Sequence, residues 1–295
     1  MGASTAAPDR RWPRWLIARR TTQGLLLAAF AGAPWWGPRW VQGTLASSVW
    51  CGTLPLTDPF VALQALLAGQ ALAVAGALGA LLVAIAFALS AGRLYCGWVC
   101  PINLVTDAAD ALRRALGLRR GLLPGADRRL RHVVLVGVLL ASALAGSLVW
   151  EAVNPITHAV RALAFGLWTS GAVAVAAVFA FDLVLLRHGW CGHLCPVGAF
   201  YSLIGRISLV RMVAVQRAAC NDCMDCFAIC PEPQVIRPAL KGVDGAGPVV
   251  LDANCTNCGR CIDVCSKDVF SFGTRFGNRI DKVSPPAQKM APACK

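Results

Sequence analysis

The chain alternates long apolar runs with short basic or polar connections. Four of the runs approach the ~20 apolar residues that an α-helix needs to cross the hydrocarbon core of a bilayer. The runs lie at residues 21–41, 71–89, 133–150 and 167–186. The first is the weakest, because Pro34, Pro38 and Arg39 fall near its end. The pattern predicts an α-helical integral membrane protein with four transmembrane helices within residues 1–211.

A cleaved signal peptide is the alternative for the first run. The tripeptide Ala31-Gly32-Ala33 resembles a cleavage site, and Arg19-Arg20 resembles the start of a twin-arginine signal. The residues that follow, Thr21-Thr22-Gln23, fit that signal poorly. An uncleaved helix is favoured, because an even number of spans returns the chain to the side on which it started.

The overall composition also indicates a membrane protein. Apolar residues make up 57% of the chain, against ~45–50% in soluble domains, and charged residues make up 15%, against ~25%. The net charge of +13 would suit a nucleic-acid partner. Most arginines flank apolar runs, however, so membrane topology explains the charge and no nucleic-acid partner is expected.

The same arginines orient the predicted helices. The connection between the second and third runs carries many of them, namely Arg113, Arg114, Arg119, Arg120, Arg128, Arg129 and Arg131. The connections on the opposite side hold chiefly Arg39 and Arg161. Because basic residues favour the cytoplasmic side, both termini and the C-terminal domain are predicted to be cytoplasmic.

Two cysteine runs near the C-terminus share the spacing C-x2-C-x2-C-x3-C. This is the ligand spacing of two-cluster bacterial ferredoxins, in which the fourth cysteine of each run binds the other cluster. Two [4Fe–4S] clusters are therefore expected, each with its own ligand set. Set A is Cys220, Cys223, Cys226 and Cys265, and set B is Cys255, Cys258, Cys261 and Cys230. Zinc or a disulfide scaffold is the alternative, but zinc needs four ligands rather than eight.

These cysteine runs predict an α+β ferredoxin domain of the bacterial two-cluster type at residues 212–280. The tail at 281–295 is polar and rich in proline, and is predicted to be disordered. Two further cysteines, Cys51 and Cys294, have no partner at motif spacing. Cys51 is interpreted as a passive small residue and Cys294 as a free thiol.

The membrane part contains an internal repeat. The segments Cys96–Pro101 and Cys191–Pro196 share the pattern C-G-x-x-C-P, and each follows an apolar run. In the same way Pro55–Asp58 resembles Pro155–His158, some distance before each cysteine pair. The repeat predicts two similarly oriented helical pairs in one bundle, related by an axis along the membrane normal.

Three roles are open for the repeated cysteines Cys96, Cys100, Cys191 and Cys195. Four thiolates that converge at the bundle axis would suit a third metal or iron–sulfur centre. A thiol–disulfide relay is the second role. The third is passive packing, since a structural disulfide is disfavoured on a cytoplasmic face. Haem attachment would need C-x2-C-H instead.

Two polar residues lie close to the second cysteine pair. Asp182 falls inside the fourth apolar run, where an acid is expected to be functional, for example in proton handling. The alternative is a structural ion pair with Arg93 or Arg187. His188 lies beside the cysteine pair and is interpreted as structural.

Taken together, the motifs resemble a known family, the NapH/MauN-type membrane ferredoxin-type proteins. The resemblance covers nearly the whole chain and rests on the two C-x3-C-P pairs and on the segments CNDCMDCFAICPEPQVI and CTNCGRCIDVCSKDVFSFGTRF. It implies four transmembrane helices, two cytoplasmic [4Fe–4S] clusters and a quinol dehydrogenase role in the bacterial inner membrane, serving periplasmic nitrate reductase. It also implies two partners, a NapG-type periplasmic iron–sulfur subunit and a membrane-anchored multihaem cytochrome.

A quinol donor would need an apolar slot and a proton acceptor. Asp58 and His158, at matching repeat positions, are candidate acceptors for a site at the outer face. Otherwise both cap the helices that follow. A quinol site deeper in the bundle, near Asp182 and the four repeated cysteines, is the alternative location.

The expected function is electron transfer from quinol, through iron–sulfur centres, toward a periplasmic reductase. Whether the chain is itself catalytic stays open, since no nucleophile pattern or Gly-rich dinucleotide motif marks a reaction. Two other functions are compatible with the same motifs: a membrane factor for assembly or maturation of a partner, and a redox sensor. Rapid reduction of the clusters by quinol would favour electron transfer over both.

Overall fold

The computed structural model describes residues 12–36, 41–118, 127–166 and 168–276. The predicted tail at 281–295 lies outside these residues. The α-helices are α1 Arg14–Trp36, α2 Pro59–Leu67, α3 Val74–Leu89, α4 Ile102–Ala115, α5 Leu130–Ala145, α6 Pro155–Phe165, α7 Trp168–Ala180, α8 Pro196–Ile204, α9 Asp225–Ile229, α10 Ile236–Lys241 and α11 Arg260–Val264. The strands are β1 Val41–Gly43, β2 Ser47–Trp50, β3 Leu54–Thr57, β4 Val210–Ala214 and β5 Phe270–Thr274.

The first eight helices form a bundle made of two repeats, α1–α4 and α5–α8. Each repeat runs through a long helix, a short helix that begins with proline, an apolar helix, a π-helical turn and a further helix. These equivalent turns are Tyr95–Val99, which we call the first π-helical turn, and Trp190–Leu194, which we call the second. A further π-helical turn, Phe181–Leu185, follows α7 and has no counterpart among the described residues. The repeats exchange partners: α1 packs on α6 while α5 packs on α2, and α4 packs on α7 while α8 packs on α3. This reciprocal packing is what a pseudo-two-fold axis between the repeats produces.

The structure corrects the register of the repeat. Helices α2 and α6 both begin at a proline, Pro59 and Pro155, and the preceding residue caps each helix. Asp58 Oδ1 accepts the backbone N–H of Phe60 at 3.0 Å, and Asn154 Oδ1 accepts that of Ile156 at 3.1 Å. The counterpart of Asp58 is therefore Asn154, and its predicted match with His158 is wrong. An N-cap acceptor followed by proline at the first helical position defines the start of both helices.

The apolar runs predict the helices better than they predict their ends. The first run was expected to reach residue 41, but α1 stops at Trp36 and Val41 opens a strand. The third run was expected to reach residue 150, but α5 ends at Ala145 because Gly146 takes a left-handed conformation with φ 62°. In the described ranges, one helical stretch, Trp168–Leu185, has the length and hydropathy of a membrane span. The apolar helices α3 and α5 are shorter, with 16 residues each.

Large apolar side chains cover the outside of the bundle. Three helices, α3, α5 and α7, carry them at exposed positions, including Val74, Leu78, Leu82, Val133, Val136, Leu140, Leu144, Trp168 and Val173. Leu144 is 90% exposed and Val74 is 75% exposed. Exposed apolar surface of this extent is typical of a face that contacts lipid or another protein.

A small antiparallel sheet, which the sequence did not predict, connects α1 to α2. Its strand order is β1-β2-β3, with Val41 opposite Trp50 and Ser47 opposite Thr57. Strand β3 lies against α3 at Gly79, where a Cβ atom would meet the carbonyl oxygen of Pro55 at 2.5 Å. The sheet thereby places Asp58 and the start of α2 inside the bundle.

The C-terminal domain is α+β, as predicted. Strands β4 and β5 pair antiparallel, with Val210 opposite Thr274, and cover a core that includes Met212, Val235 and Phe270. The short helices α9 and α11 each fall inside one of the cysteine runs. The domain and the bundle meet directly, because the Asp263 carboxylate accepts the backbone N–H groups of the first turn of α1.

Candidate metal centres

Set A surrounds one cavity in the C-terminal domain. Its four cysteines, Cys220, Cys223, Cys226 and Cys265, all line one cavity between the first cysteine run and β5. Three of them come from the first run, and Cys265 reaches across from the second. Apolar side chains, including Phe227 and Phe270, close the rest of the wall.

Set B surrounds a second cavity. Here Cys255, Cys258 and Cys261 come from the second run and Cys230 comes from the first. The two cavities are similar in size and have the same number of thiols. Each cysteine run therefore contributes three sulfurs to one cavity and one sulfur to the other.

The four thiols of set B are suited to binding a metal-containing group, whose positive charge would stabilise them as thiolates. Burial, followed by the neighbouring thiols, raises the pKa of Cys230 and of Cys261, and burial raises the pKa of Cys255 to about 12. Buried thiols of this kind are held as thiolates only when a metal supplies compensating charge. Four sulfurs around one closed space are the donor set that a [4Fe–4S] cluster requires.

The four repeated cysteines lie together in the bundle, and we call them the bundle cysteines. Cys96 and Cys191 lie within the two π-helical turns, and Cys100 and Cys195 end those turns. The backbone N–H of Cys100 donates to Tyr95 O, and that of Cys195 donates to Trp190 O, both at 2.9 Å. Burial raises the pKa of Cys191, and Cys195, Cys100 and Cys96 raise it further because they are close neighbours.

The four bundle cysteines match the four thiolates predicted for a third centre. Within the described residues, no three His, Cys, Asp or Glu side chains meet at a geometry suited to a single metal ion. The same holds for sets A and B, whose sulfurs surround cavities instead of meeting at one point. The structure places the bundle cysteines near one another, and their chemistry stays a prediction.

Asp182 supports the second π-helical turn. Its side chain is 1% exposed, and Oδ1 accepts the backbone N–H of Trp190, the first residue of the turn, at 2.8 Å. The ion-pair partners suggested for it have other carboxylates: Arg93 binds Glu232 and Arg187 binds Asp110. That pairing is therefore wrong, and Asp182 instead holds the segment that carries Cys191.

The loop of set B lies on the first π-helical turn. The indole N–H of Trp98 donates to the carbonyl oxygen of Asn257 at 3.0 Å, and the amide of Asn257 donates to Ala91 O at 3.3 Å. Gly97 leaves room for this contact, since a Cβ atom there would lie 3.1 Å from Thr256 O. The bundle cysteines and the set B cavity are therefore neighbours.

A buried carboxylate fastens the two domains together. Glu232, two residues after Cys230, is 2% exposed and binds three arginines of the bundle. The distances to Arg93 and Arg131 are 2.8 and 2.9 Å, and Arg128 also contacts it. Burial alone would raise the pKa of Glu232, but the three guanidinium groups outweigh it and lower the pKa to about 2. This cluster could not be predicted from the sequence, because Glu232 lies more than a hundred residues after each of the three arginines.

Asp58 and His158 do not form the predicted outer-face pair. Asp58 accepts a hydrogen bond from the hydroxyl of Tyr201 at 3.3 Å, and the Tyr201 ring stacks on Tyr95 at 4.8 Å, next to Cys96. His158 instead bonds the carbonyl oxygen of Ala152 at 2.9 Å through Nε2. The capping interpretation holds for Asp58, and the structure places that residue beside the bundle cysteines.

Replacing Asp58 with asparagine should remove a pH dependence of stability. Burial raises the pKa of Asp58 to about 6, above its usual 3.8. The stabilisation that protonated Asp58 gives the folded state is therefore complete below pH 3.8, and it is lost as the pH rises through 6. Asparagine keeps the helix cap and carries no charge. We expect Asp58→Asn to raise the free energy of unfolding at pH 8, by on the order of 2 kcal/mol, and to change it little at pH 4.

Thermal unfolding at pH 4, 6 and 8 measures this effect. The matched control is Asn154→Asp, which adds a carboxylate at the equivalent cap of the other repeat and should destabilise the protein above pH 6. An equal effect of Asp58→Asn at all three pH values would contradict the explanation by buried charge.

Comparisons with known proteins agree with this architecture. One family model, described as a 4Fe-4S binding domain, matches residues 72–119 and again residues 167–212, each time around one C-x3-C-P pair. A second model, a 4Fe-4S dicluster domain, matches residues 219–277. The double match of the first model confirms the internal repeat.

Curated relatives span nearly the whole chain. A ferredoxin-type protein NapH of Escherichia coli is 44% identical over 90% of this chain and 91% of its own length. Methylamine utilization ferredoxin-type proteins MauN of Methylorubrum extorquens and Paracoccus denitrificans are 48% and 46% identical. They cover 89% and 92% of this chain, and 90% and 95% of their own lengths. No solved structure matches the chain.

Proposed function

The chain belongs to the NapH/MauN family of ferredoxin-type iron–sulfur proteins, and we propose that it takes electrons from quinol in the bacterial inner membrane and passes them toward a periplasmic reductase. An iron–sulfur electron-transfer role follows from the family and from its two kinds of 4Fe-4S domain. The main support for the proposal is the adjacency of the set B cavity to the bundle cysteines.

The two clusters are assigned to the crossed ligand sets. Set A would hold one [4Fe–4S] cluster and set B the other, and each bound cluster would supply a one-electron carrier. The protein's own contribution is to bury the sulfurs and to fix the set B loop on the bundle. Trp98 and Asn257 do this through the two hydrogen bonds that join the loop to the first π-helical turn.

The bundle cysteines are proposed as a further redox site, either a metal centre or a dithiol. They lie on two symmetric turns, which would bring two thiols from each repeat to one place. Asp182 and Arg93 orient the second turn, since Asp182 binds the backbone N–H of Trp190 and Arg93 donates to the carbonyl oxygen of Cys191 at 3.4 Å. This would extend the electron path from the ferredoxin domain into the bundle.

A membrane topology with four spans accounts for the outer surface of the bundle. Helices α1, α3, α5 and α7 would cross the bilayer, with both termini and the ferredoxin domain in the cytoplasm. The exposed apolar side chains on α3, α5 and α7 would then face lipid. Fusion of alkaline phosphatase after Glu151 should give active enzyme, whereas fusion at the C-terminus should give inactive enzyme.

The proposed partners are a NapG-type periplasmic iron–sulfur subunit and a membrane-anchored multihaem cytochrome, and the reductase that they serve is proposed to be nitrate reductase. The resemblance of the whole chain to the NapH type supports this choice. The bundle cysteines would lie between the cytoplasmic clusters and such partners.

Quinol-dependent reduction of the clusters tests the function. Anaerobic addition of ubiquinol-1 to membranes that contain the protein should produce the electron paramagnetic resonance signals of reduced [4Fe–4S] clusters. A Cys96→Ser/Cys191→Ser variant should keep sets A and B but lose reoxidation of those clusters by the periplasmic partners. Clusters that stay oxidised after ubiquinol-1 is added, yet accept electrons from dithionite, would favour an assembly or sensing role instead.

A further inference from the structure

A cavity lies between the bundle and the ferredoxin domain, apart from the cavities of sets A and B. It measures ≈ 590 Å³, within the ~300–1,000 Å³ typical of small-molecule sites. Its walls come from the start of α1, from α4 and from the two cysteine runs. Ile229 and Val264, on the ferredoxin side, directly precede Cys230 of set B and Cys265 of set A. A molecule in this cavity would therefore lie next to the peptide loops that carry both ligand sets.

Arg19 lines the cavity and has unused hydrogen-bond donors. Its side chain is 0% exposed, and its Nη1 donates to Asn103 Oδ1 at 3.2 Å. Its Nε and Nη2 have no hydrogen-bond partner among the described residues, and the same is true of Nε in Arg260, which also lines the cavity. Buried guanidinium groups normally bond all available acceptors, because an unmade hydrogen bond costs about 1–3 kcal/mol. A carbonyl or hydroxyl oxygen of a ligand would supply the acceptor that these guanidinium groups lack.

The charges around the cavity favour a neutral ligand. Arg19, Arg20, Arg114 and Arg260 face three carboxylates, those of Asp107, Asp110 and Asp263. Salt bridges already pair most of these groups, for example Asp107 with Arg20 and with Arg260. An anionic phosphate would meet the three carboxylates, whereas a carbonyl or hydroxyl oxygen accepts from Arg19 without that repulsion. The remaining wall is apolar, with Leu16 and Leu104 among its members.

We propose that this cavity binds the quinol head group, with one ring oxygen on Arg19 and the ring between the apolar walls. The inference rests on the proposed function and gives its substrate a location. A quinol becomes a quinone by losing two electrons and two protons. Clusters held by sets A and B would each take one electron. The two protons leave to solvent water on the open side of the cavity, where Leu16 is exposed, because Asp107 and Asp110 are already paired with arginines.

Binding of ubiquinone-1 to the intact protein in phosphatidylcholine nanodiscs, measured by calorimetry, tests the location without any turnover. Ala108→Trp fills the cavity from an exposed position on α4 and should weaken binding at least tenfold. Ala115→Trp is the matched control, since Ala115 is exposed on the same helix and does not line the cavity. Arg19→Met should weaken binding to a similar extent by removing the donor.

The outcomes separate the location from the function. If Ala108→Trp binds ubiquinone-1 as tightly as Ala115→Trp, the cavity is not the site, and the function survives provided that ubiquinol-1 still reduces the clusters. If wild-type protein fails to bind ubiquinone-1, the location is overturned, and a parallel failure of cluster reduction removes the function as well. Loss of binding in nanodiscs with phosphatidylglycerol, but not in phosphatidylcholine, would identify Arg19 as a lipid-phosphate site and overturn the proposal.

Discussion

A Glu232→Gln variant is expected to release the ferredoxin domain from the bundle. Glu232 is the one carboxylate within salt-bridge distance of Arg93 and Arg131 among the described residues, and both guanidinium groups are almost fully buried. Glutamine keeps the size of the side chain but leaves the two buried charges uncompensated. Breaking a buried ion pair from one side typically costs about 3–5 kcal/mol.

Two measurements detect the loss of the ion pairs between Glu232 and the arginines. The midpoint of thermal unfolding should fall steeply, and protease should gain access to the segment between β4 and Cys220. The control is Asp127→Asn, which removes an exposed carboxylate next to Arg128 and should leave both measurements unchanged. An unchanged midpoint in Glu232→Gln would show that the cluster does not hold the domains together.

A second substitution identifies the cause. If unpaired positive charge destabilises the Glu232→Gln variant, adding Arg131→Met should recover part of the lost stability, because one of the two facing guanidinium groups is gone. The two effects should be strongly non-additive, as expected for residues in one network. Purely additive losses would assign the destabilisation to lost packing.

The grouping of the cysteines around the two cavities could be predicted from the sequence because it depends on local spacing. Cysteines separated by two residues on a tight loop point to one side, and the fourth cysteine, after a short helix, points away. The cavities have this arrangement: Cys265 lines the set A cavity although Cys261, four residues earlier, lines that of set B. No long-range information was needed for this part of the site.

The ends of the helices depend on signals that hydropathy does not contain. Val149 and Trp150 continue the apolar run after α5, but Gly146 has already ended the helix through its left-handed conformation. The strands β1–β3 are only three or four residues long, too short to give an alternating pattern. The correct alignment of the two repeats therefore follows from the helix caps at Asp58 and Asn154, and not from the hydropathy pattern.

The interdomain contacts could not be predicted because they join residues far apart in the chain. The arginines around the start of α5 predict the membrane topology, and one of them, Arg131, also binds Glu232, 101 residues later. Likewise Arg93 and Arg187 were suggested as partners of Asp182, yet each binds a nearer carboxylate in the fold. Charge counting identifies where basic residues accumulate, whereas pairing requires the three-dimensional arrangement.

The second large effect that we expect is the loss of the set A cluster when Cys265, in the second cysteine run, is replaced. In Cys265→Ser, the set A cavity loses a ligand although its other three sulfurs belong to the first run. Cluster binding stabilises the fold around it, so the variant should contain about half of the wild-type iron and unfold at a lower temperature. Cys230→Ser should have the reciprocal effect on set B.

Alkylation under native conditions, followed by mass spectrometry, shows which cluster is lost, because cluster-bound sulfurs resist the reagent. Cys265→Ser should expose Cys220, Cys223 and Cys226 to alkylation and leave Cys255, Cys258 and Cys261 protected. The control is Cys51→Ser, which removes an exposed free thiol and should keep the full iron content. Alkylation of Cys255, Cys258 and Cys261 in the Cys265→Ser variant, with Cys220, Cys223 and Cys226 protected, would mean that each run binds its own cluster.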